Sequence, residues 1–155
     1  MTEDFATAAA ELGQLERLDL DALRRMYRVE LAGEEFYERL AAGVGNDRAA
    51  ALLRANGREE RKHAERIARM IGIKQGEDFV PTTADREPLV VNLPDPVPVA
   101  MLPFVVQGEI AGDAGYQRWA DNEPDPEVAR LLRLNGREET IHSERVSAAL
   151  ALLED

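Results

Sequence analysis

Two short motifs in the chain pair a glutamate with a histidine three residues later: Glu60 with His63, and Glu139 with His142. On a helix, positions i and i+3 share a face, so each motif could present a carboxylate and an imidazole to the same metal ion. One such motif in a charged helix is more often a solvated face. Here both histidines of the chain fall in such motifs, which favours a functional site.

The two motifs occupy matching places in an internal repeat. Residues 30–66 align without a gap with residues 109–145 at a constant offset of 79, and eighteen of the 37 positions are identical. The identical pairs include Glu30 with Glu109 and Tyr37 with Tyr116. A repeat of this length indicates a duplicated structural unit.

Each half is predicted to form two helices joined by a short turn, over about 20–71 and 98–153. Asn46 and Asp125 are suited to cap the second helix of each pair. Residues 72–97 are rich in proline and predict a crossover without a long helix. The sequence therefore predicts an all-α, four-helix bundle in one domain, residues 1–155. A further short helix is expected over residues 3–16.

Helical periodicity places one glutamate in the middle of a largely apolar stripe on each of the four helices. Burying four unpaired carboxylates together would be costly, because each loses hydration and repels the others. Two divalent cations would balance their charge, with neutral histidines as further ligands. Such oxygen-rich ligation suits iron or manganese better than structural zinc. The predicted two-metal site comprises Glu30, Glu60, His63, Glu109, Glu139 and His142.

The other polar residues near these motifs fall into two groups. Tyr37 and Tyr116 follow the lone glutamates by two helical turns, where they could serve as core residues or donate hydrogen bonds to ligand carboxylates. Six neighbouring glutamates fall off the apolar stripes and are interpreted as solvated faces with local ion pairs. They are Glu34, Glu35, Glu59, Glu65, Glu138 and Glu144.

At these motifs the chain resembles the ferritin-like superfamily, and within it the rubrerythrin and bacterioferritin group, over nearly all of residues 20–153. The resemblance implies a ferritin-like bundle with a di-iron centre that reacts with O2 or hydrogen peroxide. By the same resemblance, Glu60 and Glu139 would bridge the metals. The two metal shells would be completed by Glu30 with His63 and by Glu109 with His142.

Four departures from the family pattern limit what the resemblance implies. The sequence has no cysteine, so the rubredoxin-type iron centre of rubrerythrins is not expected here. Rubrerythrins also carry an additional ligand glutamate where this chain has Gly112. Bacterioferritins bind haem through a methionine where this chain has Arg61, so no haem is expected. The chain ends with its last predicted helix, which disfavours a ferritin-type storage shell.

Composition narrows the remaining functions. The net charge of −11 argues against a nucleic-acid partner, and no apolar run approaches the ~20 residues that span a bilayer. Without a predicted signal peptide, a cytoplasmic protein is expected. Three functions remain open: a di-metal oxidoreductase that uses O2 or hydrogen peroxide with an unknown electron donor, an iron-storage protein of an oligomeric assembly, and a metal-free interaction module. A homodimer is compatible with all three.

Overall fold

The computed structural model describes residues 3–154, and the regular elements of this range are helices, with no strand. The all-α prediction is thereby confirmed. None of the described helices combines the length and apolar character that crossing a bilayer requires. The helices are α1 (Phe5–Gly13), α2 (Leu20–Gly43), α3 (Asp47–Gln75), α4 (Leu102–Asp121) and α5 (Pro126–Leu153), and a 3-10 turn, Val99–Met101, precedes α4.

Side-chain caps fix where three of the four long helices begin, α2, α3 and α5. Asp19 accepts a hydrogen bond from the amide of Ala22 at the start of α2, and Asn46 does the same for Ala49 at the start of α3. Asp125 caps α5, with Pro126 in its first turn. Each cap provides a partner for an amide that the helix itself leaves unpaired. The two caps predicted from the repeat therefore lie at the predicted helix starts.

Helix ends differ from the predicted bounds by a few residues. The predicted end of α3 near Ile71 is too early, because the helix continues to Gln75 and stops at Gly76, whose φ of 79° is left-handed. The predicted start of α4 at Pro98 is too early, because Pro98 is extended and regular helix begins at Leu102. The short N-terminal helix is also shorter than the predicted 3–16.

Two helical hairpins, α2–α3 and α4–α5, make up the bundle, and they meet chiefly through close packing of α3 on α5. The backbones of α2 and α4 approach each other far less closely. Apolar residues form two separate clusters. One contains Leu23, Ile67 and Leu132, and the other contains Leu40 and Val146. Between these clusters each helix contributes polar side chains, so a polar layer crosses the middle of the bundle.

The segment between the hairpins is irregular but anchored. Val90 pairs with the N-terminal segment: its amide donates to the carbonyl of Glu3 at 2.8 Å, and its carbonyl accepts from the amide of Phe5 at 2.9 Å. Leu89, Val91 and Val97 are buried against the helices. Helix α1 packs on α2 and α4. The crossover thus holds α1 against α2 and α4.

Candidate metal centre

The polar layer brings together all six residues predicted as metal ligands. One group of ligand atoms, all within 4.8 Å of one another, comes from Glu30, Glu60, His63 and Glu139. A second group with the same limit comes from Glu60, Glu109, Glu139 and His142. Glu60 and Glu139 belong to both groups. The arrangement is compatible with two metal ions that share these two carboxylates.

Both histidines turn Nδ1 toward the carboxylates. Nδ1 of His63 lies 2.9 Å from Oε1 of Glu139 and 3.4 Å from Oε2 of Glu30. Nδ1 of His142 lies 2.9 Å from Oε1 of Glu60 and 3.6 Å from Oε2 of Glu109. The two imidazole rings are stacked, with centroids 5.2 Å apart. The ligand-type atoms therefore converge on one small volume.

Several of these atoms lack the partners that buried polar groups normally have. Within residues 3–154, five buried side-chain atoms have no hydrogen-bond partner, and all five belong to the predicted ligands. They are Oε2 of Glu30, Nδ1 of His63, Oε2 of Glu109, Oε1 of Glu139 and Nδ1 of His142. Although Nδ1 of each histidine lies close to carboxylate oxygens, the atoms are not aligned as in a hydrogen bond. Atoms of these types, aimed at one another without partners, fit a two-metal site.

Burial and mutual repulsion perturb the protonation of this cluster. Burial raises the pKa of Glu30 to about 8, and the neighbouring Glu60 carboxylate adds to the effect. The pKa of Glu139 is likewise raised well above its usual range by burial and by nearby carboxylates. Burial alone would lower the pKa of His142, but the nearby carboxylates of Glu109 and Glu60 raise it to about 10. Either protons or cations must therefore neutralise the carboxylates.

Two tyrosines tie the hairpins together at this layer. The hydroxyl of Tyr37 on α2 donates to Oε1 of Glu109 on α4, at 2.6 Å. The hydroxyl of Tyr116 on α4 donates to Oε1 of Glu30 on α2, at 2.5 Å. Both rings are fully buried. Core packing and hydrogen bonding to the carboxylates, the two roles left open above, are thus combined in each tyrosine.

The interpretation of Glu59 and Glu138 as solvated faces is wrong. Oε1 of Glu138 lies 3.0 Å from Nε2 of His63, and Oε1 of Glu59 lies 3.0 Å from Nε2 of His142. Hydrogen bonding from His63 and Arg66 lowers the pKa of Glu138 to about 2 although burial opposes it. Periodicity missed these residues because they face the neighbouring helix rather than the bundle axis. The sequence feature that could have identified them is that both repeats carry a glutamate at this position.

The other four glutamates match the interpretation as exposed or ion-paired residues. Glu34 lies 3.6 Å from Arg61, and Glu35 lies 4.0 Å from Arg39. Glu65 and Glu144 are exposed.

Asn56 and Asn135 join the histidine backbones to the opposite helix. The side-chain amide of Asn56 on α3 donates to the carbonyl of His142 on α5, at 3.1 Å. The amide of Asn135 on α5 donates to the carbonyl of His63 on α3, at 3.4 Å. Both asparagines are fully buried. They secure the close contact of α3 with α5 behind the cluster.

Two glycines leave room for the shared carboxylates. A Cβ at Gly33 would lie 3.0 Å from Oε2 of Glu60, and one at Gly112 would lie 3.0 Å from Oε2 of Glu139. Both positions line a cavity of about 740 Å³ between α1, α2 and α4, whose walls are mostly apolar. The cavity reaches these carboxylates from the α2–α4 side.

A helical bundle with glutamates and histidines gathered in its middle is the architecture of ferritin-like proteins. The family model named Rubrerythrin matches residues 21–150, and the chain therefore belongs to the Rubrerythrin family. The resemblance drawn from the motifs is confirmed at this level. No match was found among curated proteins or among solved structures.

Proposed function

We propose that the protein binds two iron ions in the polar layer and acts as an oxidoreductase whose metal pair is oxidised by O2 or hydrogen peroxide. Manganese is the alternative metal, because it accepts the same oxygen and imidazole ligands. Glu60 and Glu139 would be the shared ligands. One further glutamate and one histidine would complete the coordination of each ion: Glu30 with His63, and Glu109 with His142.

The observation that supports this proposal most strongly is the set of five buried atoms without hydrogen-bond partners. A buried acceptor left unpaired costs about 1–3 kcal/mol, and more when it is charged. When all four carboxylates are ionised they carry four negative charges, which two divalent ions would neutralise. Such a centre would therefore satisfy both the unpaired atoms and the charge of the cluster.

Two bound ions of variable valence would supply the electrons that reduce the oxidant. The residues of the chain would control how the centre is held and reached. The hydroxyls of Tyr37 and Tyr116 would fix one oxygen of Glu109 and of Glu30, leaving the other oxygen free to bind metal. The apolar cavity beside Gly33 and Gly112 would admit a small oxidant.

Re-reduction requires an electron donor. The sequence contains no cysteine, so it cannot form a cysteine-ligated iron centre of its own. We propose that a group outside this sequence supplies the electrons.

The proposal is tested by loading the protein with Fe(II) under anaerobic conditions and oxidising it with hydrogen peroxide. Two equivalents of Fe(II) per chain are added, and hydrogen peroxide is titrated while the near-ultraviolet absorbance of ferric carboxylate is followed. One peroxide takes up two electrons and two protons to give two waters, so the change should end at one peroxide per two irons. Oxidation no faster than that of free Fe(II) in the same buffer would contradict the proposal. Continued uptake of many irons per chain would favour storage instead.

A further inference from the structure

We propose that Glu59 and Glu138 are positioning residues that hold the two histidines with Nδ1 turned toward the metal pair. Each would act across the contact between α3 and α5: Glu138 on His63, and Glu59 on His142. The inference rests on the proposed metal centre and concerns residues outside its ligand set.

The two ring nitrogens of each histidine have different surroundings. Nε2 of His63 lies 3.0 Å from the Glu138 carboxylate, whereas Nδ1 faces the cluster and has no hydrogen-bond partner. The ring of His142 is arranged in the same way, with Glu59 as the partner. An ionised carboxylate only accepts hydrogen bonds, so Nε2 must carry the proton. Once the ring has lost its other proton, the lone pair of Nδ1 is free to bind a metal ion.

Each positioning glutamate is itself held by an arginine. Arg66 donates to Oε1 of Glu138 at 2.5 Å and to Oδ1 of Asn135 at 3.1 Å. The amide of Asn135 in turn donates to the backbone carbonyl of His63. The four residues thus form a closed ring of hydrogen bonds that fixes both the side chain and the backbone of the histidine.

The second ring repeats this pattern with the helices exchanged. Arg145 donates to Oε1 of Glu59 at 2.8 Å and to Oδ1 of Asn56 at 3.1 Å. The amide of Asn56 donates to the carbonyl of His142. Each histidine is therefore oriented by residues of the opposite hairpin, and the contact between α3 and α5 controls the direction of both imidazoles.

The chain offers matched control residues for a test. Glu65 and Glu144 lie on the same two helices, are also related by the offset of 79 and are exposed. Replacing either by glutamine removes the same charge without touching an imidazole. The test variants are E138Q and E59Q, and the controls are E65Q and E144Q. A glutamine amide accepts more weakly than a carboxylate and can donate to Nε2, which would move the proton to Nδ1.

The first readout is Mn²⁺ affinity, measured from the electron paramagnetic resonance signal of free Mn²⁺. Loss of such a supporting carboxylate typically weakens metal binding 10–100-fold. We expect E138Q and E59Q to fall in that range and the controls to stay within about twofold of the wild type. Equal affinities in test and control variants would overturn the inference while leaving the metal centre intact. A wild-type protein that binds no Mn²⁺ or Fe²⁺ would instead overturn the proposed function.

The second readout is the nitrogen-15 spectrum of the imidazoles in Zn²⁺-loaded protein, which is simple because the chain has only two histidines. In the wild type, both rings should carry their proton on Nε2 and show a metal-bound Nδ1. E138Q should shift the ring of His63 and spare that of His142, and E59Q should do the reverse. Wild-type rings bound through Nε2 would overturn the inference even if neither variant folds.

Discussion

The hydroxyl of Tyr37 lies 2.6 Å from Oε1 of Glu109, although the two residues belong to different hairpins. The counterpart bond joins Tyr116 to Glu30 in the opposite direction. These two bonds join α2 to α4, whose backbones pack far less closely than those of α3 and α5. They therefore fix the lone glutamates where helix packing alone would leave them free to move.

Replacing Tyr37 or Tyr116 by phenylalanine should destabilise the metal-loaded protein by about 1.5–3 kcal/mol, the range for hydrogen bonds to charged groups. Urea unfolding monitored by circular dichroism measures this change. Tyr27→Phe is the control, because its half-buried ring packs on Phe79, with ring centroids 5.5 Å apart, away from the cluster. Similar losses in all three variants would show that the hydroxyl bonds to Glu109 and Glu30 contribute nothing specific.

Chelated protein should lose stability as pH rises from about 5 to 10. With the pKa of Glu30 raised from 4.5 to about 8 by burial, the folded protein retains a proton that the unfolded chain has released, so unfolding becomes easier with rising pH. Burial would lower the pKa of His142, but the Glu109 and Glu60 carboxylates raise it from 6.5 to about 10. This shift acts in the same direction at higher pH.

Metal-loaded protein should escape most of this loss, because the ions displace the protons and neutralise the carboxylates. The stabilisation by metal should therefore grow with pH. Thermal unfolding of Mn²⁺-loaded and chelated protein at several pH values measures the difference. Parallel stability curves for the two forms would mean that metal and protons do not compete for these residues.

Alanine at Gly112 should disturb the centre, whereas alanine at Gly108 should not. The added methyl at Gly112 would lie 3.0 Å from Oε2 of Glu139 and force that carboxylate to shift, while nothing lies within 4 Å of a Cβ at Gly108. We expect Gly108→Ala to raise the free energy of unfolding by up to about 1 kcal/mol, since alanine favours helix. Gly112→Ala should weaken Mn²⁺ binding severalfold, as measured from the electron paramagnetic resonance signal of free Mn²⁺. Equal Mn²⁺ affinities would contradict the close approach of Glu139.

The sequence predicted the helices and the clustering of Glu60 with His63 because both depend on local geometry. Residues three apart share a helix face whatever the neighbouring helix does, and the repeat then supplied Glu139 and His142. Asn46 and Asp125 were recognisable as caps for the same reason. Features set by a few neighbouring residues could therefore be predicted from the sequence.

The partners of Glu59 and Asn56 could not be predicted in this way. Successive helical residues are separated by ~100°, so Glu59, next to Glu60, points either to solvent or to α5 according to how the two helices are rotated. That rotation is fixed by the packing of α3 on α5 as a whole. The pairing of Val90 with the N-terminal segment likewise depends on where the crossover runs.

The central claim is tested most directly by anaerobic titration of the protein with Fe(II), with bound metal counted per chain after removal of excess. The account predicts two bound ions in the wild type and loss of both tight sites in the Glu60→Ala, Glu139→Ala double variant, which lacks the shared carboxylates. The control with Glu65→Ala and Glu144→Ala should still bind two. A wild-type chain that binds no iron, or a double variant that binds as the control does, would contradict the claim.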